Sequence, residues 1–279
     1  MKTRILTALV ALPILIASFL ISRLWLLFVV LALAALALGL YEFWLLAKKR
    51  GVKVDTSVSS LGAIGLFVCF FFDGPKTGPD ILLAIVTGFF IMALVAEMLR
   101  GAPFDKMIAQ TGATLLGTSY LFLLGGHIVA IRMGFGFDRD PKLSTRLLSF
   151  FFLILMGSDT GAYFAGRAFG RHKLAPKISP GKTWEGFVGG MIASLAFAAL
   201  AHFWFFRELP LKFALPLATV MNVLGVAGDL AESALKRGSD AKDAANILPG
   251  HGGLLDRLDS LLFNAPLLYY FAKFFFQQM

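Results

Sequence analysis

Apolar residues occur along this chain in blocks of about 20, separated by short polar clusters, a spacing that predicts membrane-length helices and not the two-residue alternation of half-buried strands. Nine such segments are expected, at 5–21, 25–47, 58–73, 81–99, 107–131, 146–166, 187–206, 213–230 and 260–278. Three are marginal: 58–73 is short, 107–131 contains Gly112, Gly117, Gly125 and Gly126, and 260–278 carries Pro266 and Lys273. The first follows Lys2 and Arg4, as a cleaved signal peptide would. Its apolar run continues through Ile21 without a clear small-x-small cleavage site, however, and Arg23 makes a tight turn into the next segment, so a helical hairpin is the better reading. No internal repeat, low-complexity tract or long linker interrupts the pattern. The expected fold is all-α, a polytopic integral membrane protein of about nine transmembrane helices.

Composition supports that class. Of 279 residues, 58% are hydrophobic and only 15% charged, against roughly a quarter charged in soluble proteins. The net charge of +9 would suggest nucleic acid in a soluble chain. Here topology and anionic lipid or phosphate ligands account for it, and no nucleic-acid partner is expected. With nine crossings, 17 Lys/Arg side chains fall on the N-terminal side against 9 elsewhere, the clusters Lys48-Lys49-Arg50 and Arg171 to Lys182 weighing most. The N-terminus and every polar motif are therefore expected to be cytoplasmic. The lone Cys69 lies in an apolar stretch, where it reads as a small hydrophobe.

The charges are unevenly spread. Ten of them lie in the 31 residues from Asp229 to Asp259, in a chain with 26 Lys/Arg and 17 Asp/Glu. Ionisable groups near a bilayer are costly enough to be functional suspects. Three blocks stand out. Ser158-Asp159-Thr160-Gly161-Ala162-Tyr163, continuing to Gly166-Arg167, places an Asp in a span. Such an Asp must be paired, metal-bound, protonated or facing a hydrated cavity, or else it is a packing position held by Arg167, with Gly161 and Gly166 leaving room for another backbone. In the loop Lys177 to Gly186, Ser179-Pro180-Gly181 reads as a turn into a helix that would start near Lys182, a natural place for phosphate oxygens. A positive-inside anchor loop is the plainer alternative. Gly181-Lys182-Thr183 resembles the end of a P-loop, but Pro176 stands where the first Gly is needed.

The third block is the polar run itself. If 225–237 is helical, Asp229, Glu232, Ser233 and Lys236 share one face, with Glu232 and Lys236 at the favourable i,i+4 spacing. Leu248-Pro249-Gly250-His251-Gly252-Gly253 must break the helix, and a new one should start by Leu254. Asp256 and Asp259 would then lie on one face of its first turns, where the helix dipole favours negative charge. An exposed loop followed by an acidic helix start is the alternative without function. Asp oxygens are hard ligands that suit Mg²⁺ with phosphate, whereas four scattered histidines and one cysteine make no zinc site. Asp229 and Asp256 are placed to supply the carboxylates, and Lys182, Lys236, Arg237 and Arg257 the counter-charge for phosphate. Read from its residues alone, the chain is a Mg²⁺-dependent phosphoryl or nucleotidyl transferase acting on a lipid.

The run Ser233-Ala234-Leu235-Lys236-Arg237, then Lys242-Asp243, then Leu248 through Asp259 resembles, without departure, the signature of the phosphatidate cytidylyltransferases, the CDP-diacylglycerol synthases. The Ser158 and Ile178 blocks are similar to that family in order and spacing, so the likeness covers about 155–260. It divides the chain into N-terminal spans, 1–140, and a transmembrane catalytic region, 141–279, with cytoplasmic loops 167–186 and 233–259. The resemblance implies transfer of CMP from CTP to phosphatidic acid at a bacterial inner (plasma) membrane, by a homodimer with a lateral opening to the inner leaflet. It implies a metal centre of Asp229 and Asp256 that pairs Mg²⁺ with a monovalent K⁺. Asp259, Lys182, Arg257 and Asp159 join these as catalytic candidates. Ser179, Lys182, Ser233, Lys236, Arg237, Lys242 and His251 are the candidates for substrate binding. Two rivals remain: a CTP-dependent kinase of polyprenol or phytol type, which would need a base such as His251, and a transporter with an ion site near Asp159. The D-G-x-x-A-R core of CDP-alcohol phosphotransferases does not occur.

Overall fold

A computed structural model describes residues 12–72, 79–101, 104–135, 142–239 and 253–276. Its elements are helices joined by short turns. The first, α1, is described over 12–20, and a single tight turn, Ser22–Leu24, carries Arg23 and leads into α2 (Trp25–Lys49), the expected hairpin entry. Next come α3 (Thr56–Phe72) and α4 (Pro79–Leu99), then α5 (Met107–Thr118), which runs through a π-helical turn, Ser119–Leu123, into α6 (Leu124–Gly134). The second half comprises α7 (Leu143–Phe169), α8 (Trp184–Trp204), α9 (Leu211–Gly238) and α10 (Leu255–Phe276).

Six of these helical stretches are long and apolar enough to cross a membrane, while α3, at 17 residues, is a shorter apolar helix. The chain is a helical integral membrane protein. Each expected segment falls on a helical stretch among the described residues, but the ends differ. Helix α9 continues past the expected end at residue 230 to Gly238, because hydropathy falls there while the backbone stays helical. Residues 233–238 of the expected loop are therefore the last turns of α9.

The all-α expectation needs one small correction. Between α7 and α8 the chain forms an antiparallel hairpin of β1 (Lys173–Ala175) and β2 (Ser179–Thr183). Ser179-Pro180-Gly181, expected as a turn, lies in β2. The turn is one step earlier, at residues 176–178, closed by Ile178 N donating to Ala175 O at 3.2 Å. Pro180 is tolerated because neither strand of a two-stranded ribbon has a second neighbour to bond.

The helices of the second half pack closely. A Cβ on Gly161 of α7 would sit 2.8 Å from Gly189 O of α8, and one on Gly228 of α9 would sit 2.5 Å from Asp259 O of α10. Those two crossings bring Asp159, Asp229 and Asp259 to one region. At the other end of the bundle, Arg146 of α7 pairs with Glu208, in the connection from α8 to α9, at 3.2 Å. Buried Phe150, Phe151, Ile154, Ala218, Met221 and Leu268 fill the core between these ends.

Candidate active site

Segments far apart in sequence converge where α7 and α9 end and α8 and α10 begin. Thr183 is the N-cap of α8: its hydroxyl accepts from Gly186 N at 3.1 Å. The hairpin is anchored there by Glu185, which accepts from Arg171 N at 3.1 Å and His172 Nδ1 at 2.6 Å. Lys182 thus stands two residues before the helix, as expected, and forms an ion pair with Asp229 of α9. Ser233, one turn on, donates to Asp229 at 3.4 Å.

The second pair lies one turn further along. Lys236 Nζ is 2.9 Å from Glu232 Oε2, the predicted i,i+4 contact, and 2.7 Å from Asp256 Oδ1 of α10. Lys236 therefore bridges two helices. Asp259 is within electrostatic range of Asp229 and Asp159, and Asp159 is within range of Lys182. Arg167 donates instead to Tyr163 Oη at 3.0 Å, so the packing alternative for Asp159 loses its proposed partner.

Other candidates lie at the margin. Arg237 donates through Nε to Ile178 O at 3.4 Å, tying the end of α9 to the hairpin turn. Arg257 is exposed on the first turn of α10, and Ser179 is half-buried at the start of β2, opposite Ala175. Lys242 and His251, with the expected helix break at 248–252, lie outside the described residues.

Two residues of the first half reach this site without having been singled out in the sequence. Glu42 of α2 is fully buried. Its Oε1 accepts from Leu254 N and its Oε2 from Leu255 N, both at 2.8 Å. These amides open α10, so a side chain more than 200 residues away caps the helix that carries Asp256. A lone Glu inside the apolar block 25–47 was the available signal. Tyr120 sits on the π-helical turn within range of Asp259, Glu232 and Asp229. Nothing in the sequence marks that turn.

The donor set can be tested against a cation. Asp159, Asp229, Glu232, Asp256 and Asp259 supply five carboxyl groups, while Lys182 and Lys236 are the lysines directly paired with them. Glu232 Oε1 is buried without a hydrogen-bond partner among the described residues. Among the described residues no three His, Cys, Asp or Glu side chains form a complete ligand group. Mg²⁺ takes one or two carboxylates and fills its octahedron with phosphate oxygens and water, a demand that Asp229 and Asp256 fit by donor type. A separate cavity of 230 Å³ between α2, α5 and α9 is lined by Phe43, Leu46, Ala113, Leu116 and Leu235. The described residues of its wall carry no charged side chain.

The model of the cytidylyltransferase family matches residues 2–275. The chain is 35% identical over 283 residues to the phosphatidate cytidylyltransferase of Bacillus subtilis, covering 99% of this chain and 98% of that one. With the phosphatidate cytidylyltransferase of Haemophilus influenzae it shares 33% identity, over 98% of this chain and 99% of the other. The same-named protein of Pseudomonas aeruginosa is 35% identical, with 95% and 94% covered.

Proposed function

The chain belongs to the cytidylyltransferase family, and from that membership we propose its reaction and the residues that carry it. It transfers CMP from CTP to phosphatidic acid, giving CDP-diacylglycerol and pyrophosphate. A non-bridging oxygen of the lipid phosphate attacks the α-phosphorus of CTP. The bond from that phosphorus to the α,β-bridging oxygen breaks, and its electron pair leaves with pyrophosphate. A phosphate monoester is already mostly anionic near neutral pH, so no dedicated base is required.

The protein's work is alignment and charge compensation. The single observation that carries this reading is the pairing of Lys182 with Asp229 and of Lys236 with Asp256, which joins the Lys177 to Gly186 loop to both ends of the polar run at one end of the bundle. Asp229 and Asp256 would hold Mg²⁺, with K⁺ as the accompanying monovalent ion. When bound, the divalent ion screens the phosphate charge and polarises the oxygens around the α-phosphorus. Lys182 and Lys236 neutralise phosphate oxygens beside it, and Arg257 supplies a further guanidinium. Asp159 and Asp259 keep the site anionic around the cation, and Ser233 orients Asp229. Residues 1–140 form the supporting spans and 141–279 the catalytic region. All nine helical stretches cross the bilayer of a bacterial inner membrane in a homodimer, and the Lys/Arg excess puts the site at the cytoplasmic face.

The test uses purified protein in detergent with Mg²⁺, phosphatidic acid, a polyprenol, and CTP labelled distinguishably at its α- and γ-phosphates. The α label should enter the lipid and the γ label should leave as pyrophosphate. Entry of the γ label into lipid would establish the rival kinase reaction instead.

A further inference from the structure

We propose that the hydroxyl of Tyr120 is a further binding group of this site, donating a hydrogen bond to a phosphate oxygen of a substrate; the inference rests on the reaction proposed above. Tyr120 is 6% exposed, and its ring meets Phe263 of α10 edge-on, with centroids 6.3 Å apart. Its Oη is buried and makes no hydrogen bond among the described residues. A buried hydroxyl without a partner is costly, and native proteins rarely retain one without a use.

Two observations say where that use lies. The residue stands on the π-helical turn Ser119–Leu123, a rare departure from the α-helix that widens one turn and re-aims its side chains, and that occurs often at functional sites. Its ring packs on Phe263, one turn beyond Asp259 on α10, and the residue lies within electrostatic range of Asp259, Glu232 and Asp229. Asp229 is engaged by Lys182 and Ser233, and Glu232 Oε2 by Lys236. Among the described residues no carboxylate or other acceptor is within hydrogen-bond reach of the phenol. Phosphate oxygens drawn to this place by the two lysines and a carboxylate-held cation are acceptors, and a neutral donor can approach them without adding charge.

The experiment compares the full chain with Tyr120→Phe, which keeps the ring and removes only the hydroxyl. Melting is measured without substrate, with Mg·CTP, and separately with phosphatidic acid in mixed micelles, followed by kcat and KM for each substrate. The expected variant melts at the wild-type temperature or above it without substrate, since a buried polar group has been removed. Its stabilisation by one of the two phosphates shrinks, and kcat/KM falls about 10- to 100-fold, the scale of one hydrogen bond to a charged acceptor. Loss in the CTP arm identifies the triphosphate as the acceptor, and loss in the phosphatidic acid arm the lipid phosphate. Lower melting without substrate, with both stabilisations intact, would show that the hydroxyl only supports the fold and overturn the inference. Identical behaviour of variant and wild type, with α-label transfer intact, overturns the tyrosine's role alone. Absence of both transfer and stabilisation in the wild type overturns the reaction and this inference together.

Discussion

Helices α7 to α10 and helices α2 to α6 serve the same site by different physics. In the second half, charged side chains meet one another: Lys182 with Asp229, and Lys236 with Glu232 and Asp256. The first half sends single groups across. Glu42 meets the backbone start of α10, and Tyr120 approaches the acidic cluster from a distorted helix turn. Paired charges leave a dense polar mark in sequence, whereas one carboxylate spent on two amides leaves one letter in an apolar run. The difference teaches that contacts from the first half to the site can hide in an apolar run whose composition resembles that of a plain scaffold.

The largest expected effect lies in the second half. If Asp229 and Asp256 hold Mg²⁺ as proposed, Asp256→Asn and Asp229→Asn should each lower α-label transfer at least about 100-fold, since a neutral amide is a poor substitute for a carboxylate toward that ion. Melting should change little beside that loss. Retention of more than about a tenth of wild-type turnover, under roughly 1.4 kcal/mol in the barrier, would remove the residue from the metal site.

Glu42 is next, and it decides whether the two halves truly share the site. Glu42→Ala would strip the buried Leu255 amide and the part-buried Leu254 amide of their acceptors, at up to about 1–3 kcal/mol each, and should lower the melting temperature accordingly. Glu42→Gln keeps one acceptor oxygen and should recover about half of that loss. If the carboxylate also fixes the direction in which Asp256 leaves α10, folded Glu42→Gln enzyme should show a kcat about 10-fold lower, with the KM for CTP less affected. A lower melting temperature with unchanged kcat would reduce Glu42 to a cap and restore the picture of the first half as scaffold.

How much of this was legible can be argued residue by residue. Long apolar blocks have one economical solution in a bilayer, so hydropathy located the helical stretches. The apolar span ends at residue 230, where Asp229, Glu232 and Lys236 lower hydropathy, while the helix read over 225–237 from its charged face runs on to Gly238. The contact of Glu232 with Lys236 is local and follows from helix geometry. The contact of Lys236 with Asp256 is not local: it depends on how α9 crosses α10, which the close approach of Gly228 to the Asp259 backbone permits. The family signature could place those residues in one site without saying which touches which. The strand containing Pro180 was missed because Ser-Pro-Gly is a strong turn pattern, and an isolated ribbon lifts the usual penalty.

A smaller effect is expected from Thr183→Ala, which removes the hydroxyl that caps α8 at Gly186 N. Loss of an N-cap costs about 0.5–2 kcal/mol, and the neighbouring Lys182 should lose some definition. A modest fall in melting temperature with a drop in activity of about 2- to 5-fold would fit, the rate change being under about 1 kcal/mol. Thr183→Ser keeps the oxygen and should restore both. If it restores melting but not rate, the hairpin positions Lys182 through something other than the cap.

The smallest effect tests the comparison from the far end of the bundle. Glu208 pairs with Arg146 at 3.2 Å, but its side chain is 53% exposed, and an ion pair so open to screening contributes about 0–1 kcal/mol. Glu208→Gln should therefore leave the melting temperature within about 2–4 °C of wild type. Turnover should be unchanged, because none of the contacts that orient Lys182, Asp229, Lys236 or Asp256 passes through that connection. A clear loss of turnover with melting intact would mean that the tilt of α7 against α8 and α9, fixed at the opposite end, is transmitted along the rigid helices to Asp159 and Asp229. The site would then depend on the whole second half as one lever, and the contrast with the single-residue contributions of Glu42 and Tyr120 would have to be redrawn around helix orientation instead of around the groups that touch.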